Sequence, residues 1–369
     1  MNKPVPESET KSAQRLGLID CDIHPVQRTP KDLFPYLPAR WREHAETFGG
    51  HLCQGVSGQL PFPRMMAAGM RADTYPDDGG PPGSDLALMQ RQHLDHNGCD
   101  IAMLVVLGRA GMDERNLEYG AALAHAANDW QLHDWVAKDK RLKAGIVVPQ
   151  EHPAFAAREI DARAAEHEAF RQVIISPRSS EPLGRRKYWP IYEAIARNNL
   201  ILGLHPAGSS GGHATSGTGW GTYYMQEHYA FGTGMVGNVV SLIIEGVFEE
   251  FPGLKVAMIE SGFSWAPSLG WRMDKQWQRS RKETPHLKRP PSEYLREHIW
   301  FCTQPMEEPE DPAHLLDIIG WIGWDRMMFS SDYPHWDYDD PRVALNFKMT
   351  PAQRAGILRD NAQALYRLP

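Results

Sequence analysis

The chain is short of cysteine and has no long apolar run. Its four cysteines, Cys21, Cys53, Cys99 and Cys302, form no C-x-x-C pair, and their spacing gives neither a disulfide framework nor a zinc finger. A reducing, cytoplasmic location is the expectation. No apolar stretch approaches the roughly 18 residues that a membrane helix needs, so no membrane partner is expected. Residues 1–15 (MNKPVPESETKSAQR) are a polar tail without the apolar segment of a signal peptide. Basic charge is also lacking: 39 Lys and Arg against 46 Asp and Glu leave a net charge of −7 with no basic block, which argues against nucleic acid.

What is present is globular. With 42% hydrophobic and 23% charged residues, the chain is too apolar to be disordered. At this length folding buries about 75% of the unfolded surface, enough for one large core. Eight short apolar runs read as buried parallel strands: 16–21, 101–107, 142–148, 172–175, 200–204, 255–259, 299–303 and 327–331. Helical spacing lies between them at 118–138, 154–168, 188–198, 237–251, 312–319 and 352–365. Strands alternating with helices in this way give an α/β fold, a (β/α)₈ TIM barrel over residues 16–369.

Two stretches break the alternation. Residues 25–98 separate the first two strands and carry PFP and GGPPGS, which reads as an inserted cap or lid. Residues 207–234 are rich in Gly, Ser and His and read as a mobile loop over the barrel mouth.

Barrel chemistry is built at the C-terminal ends of the strands. Those ends carry Asp22 and His24, Arg178, His205, Glu260, Gln304 and Asp332. Residues i and i+2 of a strand share a face, so Asp22 and His24 would point together, and a carboxylate beside an imidazole suits a divalent metal. Each residue taken alone has a plainer reading: His205 as a satisfied core histidine, Asp332 paired with Arg326, Glu260 with Arg272, Arg178 with Glu181. Acids and imidazoles gathered at several strand ends favour a site.

With D-x-H on the first strand, GLHPAG on the fifth, SSDYPHWD on the eighth and NAQALYRL at the end, the chain resembles the amidohydrolase-related family. That branch holds metal-dependent non-oxidative decarboxylases and hydrolases. The resemblance implies that Asp22, His24, His205 and Asp332 are metal ligands, that Asp332 is also a base toward water, and that His228 is an acid/base partner. Two departures stand out. Asp22 replaces the first His of the usual H-x-H, and Glu260 stands where the sixth strand usually ends in His. Glu260 can bind metal or serve as an acid with a raised pKa beside Phe263 and Trp265.

The reaction expected from these residues is decarboxylation of a small carboxylated cyclic or aromatic compound, with zinc or manganese as cofactor. Hydrolysis of an amide, ester or lactone is the alternative. A second alternative follows from the oxygen-rich ligand set: Glu260 supporting a second ion, and a di-iron oxygenase as in a small offshoot of the superfamily. Arg178 would clamp a substrate carboxylate. Trp265, with Trp220, Tyr223, Tyr224, Tyr333 and Trp336, would line a pocket for rings, and His335 would orient a ligand or substrate. The segment from Trp321 to Trp324 reads equally as a homo-oligomer surface or as core packing.

Overall fold

Eight parallel strands follow one another around a single sheet: β1 (Leu18–Ile23), β2 (Cys99–Leu104), β3 (Leu142–Val147), β4 (Phe170–Ile175), β5 (Ile201–Leu204), β6 (Val256–Met258), β7 (Ile299–Cys302) and β8 (Met327–Met328). The computed structural model describes residues 17–49, 69–108, 110–112, 114–206, 219 and 221–369. The polar tail, Leu16, Trp220 and residues 207–218 lie outside them. All eight strands fall on the expected apolar runs. Their Val, Ile, Leu and Met side chains are buried almost throughout, as strands covered on both faces require.

The ladder of β8 with β7 is short, because beyond Met328 the chain turns to other partners. Phe329 donates its N–H to the Ile357 carbonyl (2.8 Å) and accepts from the Cys21 N–H (3.0 Å). The His24 N–H reaches the Tyr333 carbonyl at 2.8 Å, so the end of β1 meets the segment after β8 and the ring closes.

Helices cover the outside, and local chemistry sets their ends. Asn116 caps the helix Leu117–Trp130 by accepting from the Tyr119 N–H. The helix Pro312–Ile322 starts with Pro in its first turn and an Asp311 cap, and stops at Gly323, whose φ of 113° suits only glycine.

The stretch expected as a loop over 207–234 is corrected from Tyr224 onward, where the helix Tyr224–Ile244 begins. Its Met235, Val239, Leu242 and Ile243 are buried, and that apolar stripe outweighs the low helix propensity of its glycines. The helices Ala39–Phe48, Trp265–Ser280 and Pro291–His298 were not expected. In Trp265–Ser280 the signal is hidden by Pro267 and Gly270, yet Ala266, Pro267, Gly270, Met273 and Trp277 line one buried stripe. Trp321 and Trp324 are half-buried and pack on the core.

The segment between β1 and β2 returns to the barrel mouth. Met70 bridges His335, Arg71 donates its N–H to the Pro334 carbonyl (3.0 Å), and Trp336 donates to the Gly69 carbonyl (2.9 Å). The loop after β8 is thereby held from outside as well as by β1.

Candidate metal centre and active site

Asp22 lies near the end of β1 and His24 just past it, His205 follows β5, Glu260 lies just past β6, and Asp332 follows β8. All five are buried at one end of the barrel. His24 Nδ1 donates to the Val105 carbonyl at 2.9 Å, which turns Nε2 inward, 2.7 Å from Asp332 Oδ1 and 3.3 Å from Asp22 Oδ1. His205 Nε2 lies 3.5 Å from Asp22 Oδ2 and 3.2 Å from Glu260 Oε2. Two of the plainer pairings give way to others: among the described residues Asp332 is paired with His24 and His335 rather than Arg326, which pairs with Asp325, and Glu260 is paired with His205 rather than Arg272.

Mutual charge dominates the site. Burial works against the Asp22 charge, yet the imidazoles of His24 and His205 hold its carboxyl below the usual range. Burial likewise opposes protonation of His24 and His205, but the Asp22 carboxylate outweighs it, raising His24 well above its ordinary value and His205 to about 9. Burial pushes the Asp332 carboxyl upward, and the His335 and His24 imidazoles more than reverse this. Glu260 goes the other way: burial, reinforced by the Asp332 charge, raises its carboxyl.

These residues fit a divalent cation. The nearest atoms of Asp22, His24 and His205 lie within 4.8 Å of one another. Both carboxylate oxygens of Asp22 and both ring nitrogens of His205 are buried without a hydrogen-bond partner among the described residues. Each such orphan costs about 1–3 kcal/mol, which a cation at their centre would offset. The His24 Nδ1 bond to a backbone carbonyl is the usual way of fixing a ligating imidazole. Four ligands of two imidazoles and two carboxylates suit manganese, iron or zinc.

His335 Nδ1 lies 2.5 Å from Asp332 Oδ1, so it orients the carboxylate, and its half-buried ring faces that of His24 at 4.6 Å. His228, on the helix Tyr224–Ile244, contacts Asp337 Oδ2 at 3.0 Å, and Tyr224 and Trp336 frame it. Trp265 donates its indole N–H to the Ser261 and Gly262 carbonyls and packs edge-on against Phe301, leaving only its ring for a ligand. Arg178 is half-buried just beyond β4, its N–H donating to Ser176 Oγ. Tyr333 belongs to the packing, stacked on His93, while Tyr223 is exposed.

Sequence reasoning passed over two acids. Asp337 is the last residue of the quoted SSDYPHWD stretch, and only the structure brings it against His228 and Gln304. Asp20, wholly buried in β1, accepts the N–H groups of Asp22 (3.1 Å) and Ser331 (3.0 Å) on Oδ1. Its Oδ2 lies 2.7 Å from His93 Nε2. An acid inside an apolar strand is itself a signal, because burying one demands partners.

An acid- and imidazole-lined mouth on a (β/α)₈ barrel is the layout of a metal-assisted barrel enzyme. The chain belongs to the amidohydrolase family, whose model matches residues 19–368. It is 27% identical over 287 residues to a gamma-resorcylate decarboxylase of Polaromonas sp., covering 74% of this chain and 85% of that protein. Among solved structures, 5-carboxyvanillate decarboxylase from Sphingomonas paucimobilis superposes with a TM-score of 0.68 at 23% identity, over 96% of this chain and 100% of the other. The dihydroxybenzoic acid decarboxylase of Polaromonas sp., solved with manganese and 2-nitroresorcinol, gives 0.66 at 22% identity, over 95% and 97%. No helix among the described residues is long and apolar enough to cross a membrane.

Proposed function

We propose that this enzyme is a metal-dependent non-oxidative decarboxylase of a small aromatic carboxylic acid. The observation that carries the reading is the buried group of Asp22, His24 and His205, to which Asp332 is joined through His24, with orphaned ligand atoms on Asp22 and His205, in a family whose relatives include aromatic acid decarboxylases. Those four residues would hold a divalent cation, with manganese favoured by the bound ion of the solved neighbour. When bound, the cation supplies a Lewis-acid centre for the substrate carboxylate and a neighbouring ring oxygen.

The protein's own part is orientation and proton delivery. Asp332 and His335 form the proton carrier: they share a short hydrogen bond, and His335 is the more exposed partner, open to exchange with solvent. The proton passes to the ring carbon bearing the carboxylate. The bond to that carboxylate then breaks, its electron pair returns to the ring, and carbon dioxide leaves, so ArCOO⁻ and H⁺ become ArH and CO₂. Arg178 would align the carboxylate, the Trp265 ring would wall the pocket, and residues 25–98 would act as its cap. Free, buried Cys21, Cys99 and Cys302 support a cytoplasmic, reducing setting.

The test is carbon dioxide release by the manganese-loaded chain from a panel of ring-hydroxylated benzoates, including gamma-resorcylate. Asp332→Ala should lower kcat/KM by about 10²–10⁴ or more, the usual contribution of one acid/base group, and His205→Ala, which removes a ligand, should abolish turnover, while circular dichroism stays native in both. Unchanged turnover in either variant sinks the site assignment. Turnover of esters or lactones without decarboxylation would instead favour the hydrolase.

A further inference from the structure

Tyr224 and His228 stand one turn apart at the start of the helix Tyr224–Ile244, and each leaves hydrogen-bonding capacity unused. The Asp337 carboxylate accepts, so at 3.0 Å from His228 Nε2 it takes the hydrogen there and leaves Nδ1 without a partner among the described residues. Trp336 Nε1 can only donate, and at 3.1 Å it fills one lone pair of the Tyr224 hydroxyl. The hydrogen of that hydroxyl has no acceptor among the described residues. Burial pushes the Tyr224 hydroxyl up to about 12, so the hydrogen stays in place at neutral pH.

Both groups belong to the mouth of the barrel. The ligand atoms of His228, Asp337 and buried Glu260 lie within 4.8 Å of one another. Gln304 Nε2 joins Asp337 Oδ2 (3.0 Å) to Asp332 Oδ2 (3.1 Å), so three successive contacts lead from His228 to Asp332. The rings of Phe231, Trp336 and Tyr224 surround His228 with centroids 5.2, 5.5 and 5.7 Å from its own. A polar pair is thereby set in an aromatic wall, the build of a site that holds a ring and reads one substituent on it.

Proton delivery falls to Asp332 and His335, which leaves His228 for recognition. Tyr224 donates, while His228 Nδ1 accepts when the imidazole is neutral and donates when it is protonated. A hydroxyl can accept from both groups, or accept from one and donate to the other, so it satisfies either state. An ether or a nitro group can only accept, and a ring hydrogen does neither. We propose that Tyr224 and His228 are specificity-determining residues for an aromatic acid with a ring hydroxyl remote from its carboxylate, and that Asp337 is the positioning residue that fixes the His228 tautomer. The inference rests on the proposed function for the carboxylate end of the substrate, which the cation would hold while the far edge of the ring reaches the helix.

The experiment loads the full chain with manganese and compares salicylate with beta-resorcylate and gentisate, which add a hydroxyl para and meta to the carboxylate. Turnover is measured as carbon dioxide release, and binding by titration calorimetry. In the parent, the better dihydroxy acid should exceed salicylate by about 10–100-fold in kcat/KM and in affinity, the span of one or two added hydrogen bonds. Tyr224→Phe, His228→Gln and Asp337→Asn should each lower that ratio by about tenfold, with metal content and unfolding midpoints read alongside. A merely structural tie between helix and loop would weaken both acids alike and leave the ratio unmoved, which overturns the proposal. A parent without preference for the second hydroxyl overturns it as well, even where decarboxylation is found. If no benzoate is decarboxylated, the calorimetric ratio decides: a preference lost in Tyr224→Phe upholds the hydroxyl site and refutes the assigned reaction, and no preference overturns both.

Discussion

Asp20 is the most informative residue to remove, because it ties the end of β1, which carries Asp22, to the segment after β8, which carries Asp332. Its Oδ1 accepts from the backbone of Asp22 and of Ser331, the residue before Asp332, and its Oδ2 faces His93. His93 in turn lies 3.3 Å from Tyr338 Oη, which accepts from Asn97 Nδ2 at 2.7 Å. Asp20→Ala leaves two buried backbone donors unpaired and His93 Nε2 with only the Cys99 thiol beside it. Removing one partner of such a buried pair costs about 3–5 kcal/mol, and that is the expected loss in urea unfolding at unchanged slope. Asp20→Asn keeps an acceptor for the two N–H groups and should cost about 1–3 kcal/mol. Because the backbone under both ligands loosens, manganese affinity should fall by about 10–100-fold in the alanine variant, the usual effect of losing a ligand's outer support. Titration of manganese into stripped protein measures this directly. A variant within about 1 kcal/mol of the parent, binding manganese equally well, would refute the idea that Asp20 positions the site.

Two further outcomes test other parts of the structure. If the orphaned atoms of Asp22 and His205 close on a cation, manganese at a hundredfold its dissociation constant should add about 2.7 kcal/mol of stability, read as a melting temperature that rises with metal and falls with chelator. A midpoint insensitive to metal would contradict this. Away from the mouth, buried Arg163 holds Asp129 and Glu159, each at 2.6 Å, so Arg163→Met should destabilise by about 3–5 kcal/mol in urea unfolding. Burial raises Glu159, but His125 and Arg163 hold its carboxyl below its ordinary value. Its contribution is therefore complete above the unfolded carboxylate pKa, about 4.3, and is lost as pH falls through the folded value, a loss that should shrink in the variant.

The barrel was legible because its signals are local. An apolar run such as Leu142–Val147 can be buried on both faces only in a covered parallel sheet, and eight such runs leave few other topologies. The strand-end acids and imidazoles were legible for the same reason: position after a strand places them at the mouth. Contacts made between distant segments were not. Nothing in the chain order says that Asp337 meets His228 from another element, or that the Asp20 carboxylate reaches His93. The helix from Tyr224 was obscured by composition, since its glycines and His228 read as a loop until the buried stripe from Met235 onward is seen.

Backbone strain falls where the site is, and this ties the fold to its chemistry. Four described residues other than glycine have φ in the left-handed region, and two of them are Glu260 at 52° and Asp332 at 63°. Arg367 ends the last helix and Asn199 tolerates that region, so both have a local reason. Glu260 has none and costs about 1–2 kcal/mol, while Asp332 is of a type that visits the region more readily. Asp332 is held there from both sides, donating its N–H to the Asp22 carbonyl and accepting from the His335 N–H. After Glu260 the chain continues through Gly262, at φ 60°, where a Cβ would come within 2.9 Å of Glu307 Oε1. That Glu307 carboxylate accepts from the Ser264 N–H and hydroxyl at the start of the helix Trp265–Ser280, locking the turn. The turns after β6 and β8 thus press two carboxylates into a buried space already occupied by Asp22. Like charges so placed repel unless positive charge lies among them. The histidines supply part of it when protonated, and a cation held by the same atoms would supply it without requiring the histidines to keep their protons.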